Sequence, residues 1–71
     1  MLISEAKHLV GQMVNLTYSD RNGQEFTEAT EVYDVAFVPL YGPCVICDLG
    51  EIRLDRVLNS EIIAYQQLRA A

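Results

Sequence analysis

From Gln12 to Ser19 apolar and polar residues alternate with period two. Val14, Leu16 and Tyr18 fall on one side, and Met13, Asn15 and Thr17 on the other. That is the signature of a half-buried strand, expected over about 12–19. Before it, Leu2, Ala6, Leu9 and Val10 recur as one stripe of a short helix over about 4–10, with Ser4 placed to cap its start and Gly11 to end it. So short a helix is marginal alone and must pack on something, most simply one open end of a barrel. Asp20-Arg21-Asn22-Gly23 is a strong turn sequence. A second strand follows over about 24–33. Its inward candidates, Phe26 and Ala29, cannot share a face without a bulge, so this strand is expected to be bent or partly at an edge.

The run Val32–Val38 is rich in β-formers, but Pro39 and Tyr41-Gly42-Pro43 interrupt it, so it reads as a strand end or a loop. A compact apolar strand is expected over 44–49, broken by Gly50. A fourth follows over 51–55, with Ile52 and Leu54 inward. Asp55–Leu58 could make a single helical turn, and a closing strand is expected over 62–68. One short helix and five short strands with hairpin-scale connections describe a single mostly β domain spanning 1–71, a small SH3-like or Sm-like five-stranded barrel. Closure would remove exposed edges. The alternative is an open antiparallel sheet with the helix across one face.

Composition adds a reason to expect a partner. A chain of 71 residues buries only about 60% of its unfolded surface, yet 51% of this one is hydrophobic. Part of that surplus is available to another protein or to a second copy. The formal net charge is −5. Among the basic residues Lys7, Arg21, Arg53, Arg56 and Arg69, only Arg53 and Arg56 are near neighbours in sequence. This argues against nucleic acid as a ligand, since phosphate binding draws on clustered cations, and favours a protein with a basic surface. The opening MLISEAKHLV lacks the pattern of a signal peptide, and no stretch approaches the roughly 18 apolar residues of a membrane span. With two cysteines, the expectation is a cytoplasmic protein with free thiols.

Residues able to support catalysis do not converge. Cys44 and Cys47 have the spacing of a redox pair or half a zinc site, but in a strand they face opposite sides. Zinc needs four ligands, and His8 is distant. The simple reading is one core thiol and one semi-exposed thiol. His8, the only histidine, has no partner fixed by spacing and belongs on the solvated flank of the helix. Asp48, Glu51 and Asp55 are close in sequence, which does not by itself hold two acids across a cleft. The expectation is no enzyme, no metal and no cofactor.

The run Arg53-Leu54-Asp55-Arg56-Val57, after a short helix, a strand, a glycine-containing hairpin and a bent polar strand, resembles two groups of small-barrel proteins. One is the Rof family, small acidic proteins that bind and inhibit the transcription termination factor Rho. The other is the WYL domain, a ligand-sensing module whose Trp-Tyr-Leu signature this chain lacks. The opening also looks like an Sm-like domain, and that likeness implies that Asp34 matches an aspartate holding uridine-rich RNA. The partner asparagine and Arg-Gly pair have no counterpart here. The Rof-like resemblance implies a non-enzymatic protein acting through protein contacts on a nucleic-acid-handling target. The alternatives are an Sm-like RNA binder and a structural homo-oligomer.

Eight residues are candidates for the contact surface. Glu28, Glu31 and Asp34 belong, with Glu25, to the densest acidic stretch, against the plain reading of a solvated strand face. Tyr33, Phe37 and Tyr41 lie around Pro39 and Pro43 as binding anchors or as a lid on the barrel end. Arg53 and Arg56 are either an exposed patch or structural residues. In the structural reading Arg53 and Asp55 lie outward, Leu54 and Val57 inward, Asp55 caps the following turn, and Arg56 pairs with it or with a neighbouring acid.

Overall fold

The computed structural model describes residues 1–63. Along the chain come α1 (Ile3–Lys7), β1 (Met13–Ser19), β2 (Glu25–Val38), β3 (Gly42–Cys47), β4 (Gly50–Arg53), a 3₁₀ turn (Leu54–Arg56) and β5 (Val57–Ile62). The strands form one antiparallel sheet in the order β4-β3-β2-β1-β5. The fold is therefore mostly β with one short N-terminal helix, as the pattern predicts. The sheet is not closed into a barrel: β4 and β5 are its edges, and no ladder joins them among the described residues. The 3₁₀ turn follows a β4 of only four residues and delivers β5 to the far side of the sheet, beside β1.

The first hairpin forms as its sequence dictates. Asp20 Oδ1 accepts the amides of Asn22 at 2.8 Å and Gln24 at 2.9 Å, and Gly23 takes a φ of +85° that a side chain would resist. Val14 and Leu16 are fully buried, and Tyr18 stacks on its cross-strand partner Phe26 with ring centroids 5.6 Å apart. In β2 the inward place expected for Ala29 belongs to Thr30, which is fully buried, while Ala29 is exposed. Strict alternation from Phe26 requires this, because the bulge comes later.

That bulge lies between Val32 and Asp34, where Tyr33 has no ladder partner. Up to Glu31 β2 pairs with β1, and from Val32 onward with β3. β2 is thus bent, as expected, but central and 14 residues long. The Val32–Val38 run is strand rather than loop, and β3 starts at Gly42 and accommodates Pro43. Asp48-Leu49 then forms the β3–β4 turn, which Gly50 completes with a φ of +103°. The break expected at Gly50 therefore comes two residues earlier.

The two halves of the bent sheet enclose a core of Val14, Leu16, Val32, Val45, Cys47, Ile52, Leu54 and Val57, joined by Ala6 and Leu9 from the N-terminal segment. Leu2 and Val10, expected on the same stripe, are exposed. The helix is shorter than predicted and begins earlier: the Glu5 carboxylate accepts the Leu2 amide at 2.9 Å, so Ser4 lies inside the first turn rather than capping it. The chain leaves through Gly11, whose amide bonds the Val32 carbonyl at 2.8 Å. The closing strand runs over Val57–Ile62, earlier than the expected 62–68, because the single turn comes one residue sooner and consumes three residues. Residues 64–68 of that expectation lie outside the described residues. No helix among the described residues is long and apolar enough to cross a membrane.

Candidate functional site

The acidic stretch of β2 does not make one surface. Glu28 stands opposite Leu16 and Glu31 opposite Met13, so the two carboxylates belong to opposite faces of the sheet. Glu28 accepts the Tyr18 hydroxyl at 2.8 Å. Burial, then this bond, raises the Tyr18 pKa. Asp34 is exposed and accepts the amide of Val35 at 2.8 Å.

Tyr33 is separated from the other aromatic candidates by the length of the second hairpin. It lies at the bend, where its hydroxyl donates to Asp48 Oδ1. Asp48 also accepts the Glu31 amide through Oδ2 at 3.1 Å, while its own amide donates to the buried Thr30 hydroxyl at 3.0 Å. One aspartate in the β3–β4 turn thus fastens the bulge of β2. The hydrogen bond to Asp48 is the main reason the Tyr33 pKa is pushed up to about 12, and the same bond holds the Asp48 carboxyl below its ordinary value.

Phe37 and Tyr41 are at the other end, around the β2–β3 turn. Phe37 is 76% exposed, Tyr41 55% and the intervening Leu40 99%. Phe37 stands opposite Pro43, on the same strand face as the Val35–Val45 pair but past the core. Leu40 carries a φ of +76° and is the only non-glycine residue in the left-handed region among those described. Sequence reasoning missed it. The available signal was an apolar residue within Pro39–Gly42, where a turn ordinarily takes Gly, Asn or Asp.

Arg53 and Arg56 lie across from this turn. Arg53 holds Asp55 with two hydrogen bonds, Nε to Oδ1 at 3.1 Å and Nη2 to Oδ2 at 2.6 Å. Leu54 and Val57 are buried, in keeping with the expected alternation. Asp55 is therefore Arg53's partner and does not pair with Arg56. Both arginines, with Tyr41, line a cleft that also receives Arg21.

The two cysteines are free and lie on opposite strand faces, as expected, yet both are buried. Cys47 joins the core, while Cys44 stands between Ala36 and Arg53 in the register, with its Sγ 3.5 Å from the Gly42 carbonyl. The expected semi-exposed thiol is thus covered, and burial followed by Glu51 raises its pKa. His8 is exposed. Among the described residues no three His, Cys, Asp or Glu side chains gather where they could hold a metal ion. Comparisons of the chain with protein-family models, curated proteins and solved structures find no match.

Proposed function

We propose that this chain is a non-enzymatic binding protein that works through protein contacts and docks by the turn of its β2–β3 hairpin. The carrying observation is the turn itself, where Leu40 combines near-complete exposure with a left-handed backbone beside the exposed rings of Phe37 and Tyr41. A leucine in that conformation costs about 1–2 kcal/mol, and covering its side chain returns about 1.5–3 kcal/mol. Strain and apolar exposure at one position fit an anchor that a partner buries.

The net charge of −5 favours a target with a basic surface and would steer its approach. The Rof-like run Arg53–Val57 supports a nucleic-acid-handling protein as that target, inhibited by occlusion of its basic surface. The helix leading into β1, the bent second strand and the 3₁₀ turn before β5 support kinship with SH3-like and Sm-like small barrels. Two free thiols fit a cytoplasmic location.

The test is capture of partners from native cell extract on immobilised protein, with Phe37→Ser as control. One stoichiometric protein, lost in the control, is the expected result. If that protein is Rho, the Rof-like reading stands; any other protein removes it and leaves the docking surface. A partner equally retained by the variant contradicts the proposal.

A second reading, self-association, is supported by the edges of β4 and β5, unpaired among the described residues, and by Leu58 and Ile62, each about half exposed on β5. A monomeric mass by sedimentation at high concentration would exclude it.

A further inference from the structure

Both edges of the sheet are unpaired among the described residues, but they are not alike. β4 is four residues long, opens on Gly50 and carries the charges of Glu51 and Arg53. Shortness and charge keep an edge from pairing with another chain. β5 is six residues long with one charge, Glu61, and its Leu58 and Ile62 are about half exposed. The Ile63 amide bonds the Met13 carbonyl at 2.9 Å. By alternation Glu61 and Asn59 also turn their backbone groups to β1, while Ser60 and Ile62 turn theirs outward. Leu58, passed over by the register shift at Thr17/Tyr18, has no partner in β1. Ile62 stands directly opposite the fully buried Val14, and Ser60 opposite Leu16, so these outward residues lie at the rim of the core face.

We propose that β5 pairs antiparallel with β5 of a second copy about a two-fold axis at Ser60, joining two sheets into one. This rests on the self-association reading and gives it an interface. The side chains select the register. Centred on Ser60, Leu58 of each copy faces Ile62 of the other and Ser60 faces itself. Asn59 then stands opposite Glu61, and its amide can donate to that carboxylate. Centred on Glu61, the strand's only charges would face each other, which is unfavourable. Centred on Asn59, Leu58 would face Ser60, and Ile62 would pass the end of the other strand. Pairing at Ser60 also covers Ile62 with a leucine and so extends the apolar rim of the core across the junction. The two-fold closes at two copies, whereas β4 against β5 would leave an edge free at each step and grow. Each copy carries −5, so the copies repel at long range and association strengthens as salt is raised.

The experiment is sedimentation equilibrium of the full chain under reducing conditions, over rising concentration and at low and high salt. Mild oxidation of cysteine variants of β5 runs beside it. A dimer is expected. Leu58→Lys and Ile62→Lys, both at exposed positions, should each weaken it about tenfold or more. Leu49→Lys, the same change of charge in the β3–β4 turn, should leave it standing. Ser60→Cys should yield a disulfide-linked dimer, because residues paired on the axis have Cα atoms about 5.5 Å apart. Asn59→Cys, off the axis, should not. A monomer at every concentration overturns this pairing and the self-association reading together. The pairing alone is overturned by a dimer that survives both lysine variants, by Asn59→Cys linking as readily as Ser60→Cys, or by a mass that grows beyond two copies.

Discussion

Asp48 connects parts of the chain that sequence spacing keeps apart. Its carboxylate accepts from the Tyr33 hydroxyl and the Glu31 amide. The linkage with pH follows in two windows. The Asp48 pKa is lowered in the folded state, so its contribution is present above the ordinary 3.8 and is lost as pH falls through the folded value. The Tyr33 pKa is raised from 10.0 to about 12, so its contribution is complete below 10.0 and is lost as pH rises through about 12. Tyr33→Phe should therefore flatten the pH dependence of thermal unfolding at both ends. An unchanged profile would show that the bond does not persist in solution. None of this was legible from sequence. Asp48 read as one member of an acidic trio with Glu51 and Asp55, and Tyr33 as part of an aromatic loop. Their meeting depends on where β2 bends.

The elements followed local pattern where one face is apolar. Strict alternation in β1 and the Asp20–Gly23 turn specified the first hairpin, and Leu54 and Val57 kept the inward places expected for them. The second hairpin was harder to read, because Pro39 and Pro43 imply a break while the ladder continues to Val38 on one side and from Gly42 on the other. The inward role of Thr30 was hidden by its polarity. Its hydroxyl accepts the Asp48 amide inside the bend, so burial and hydrogen bonding decide its place together. Thr30→Val keeps the shape and removes the acceptor. It should lower unfolding free energy by about 1 kcal/mol in a denaturant melt, whereas equal or greater stability would show that the hydroxyl does not hold the bend.

For the whole molecule, the sequence carried the class of fold and its acidity, and offered the unclosed sheet only as the alternative to a closed barrel. Closure depends on whether β4 and β5 meet, and the 3₁₀ turn sends β5 to β1 instead. The candidate site was half legible. Phe37 and Tyr41 stand beside the exposed turn. Glu28 and Glu31, three positions apart in a strand, divide between its faces, and Arg53 and Arg56 join Arg21 in a cleft that linear spacing does not foretell. Leu40 allows binding and stability to be separated. Glycine relieves the left-handed backbone while removing the apolar side chain, so Leu40→Gly should raise unfolding free energy by about 0.5–1 kcal/mol. The most direct measurement is side-by-side partner capture from native extract by the unmodified protein and by Leu40→Gly, with the thermal midpoint of each recorded. The expected result is a stoichiometric partner lost from a variant at least as stable as its parent; the same partner held equally by both would contradict docking through this turn.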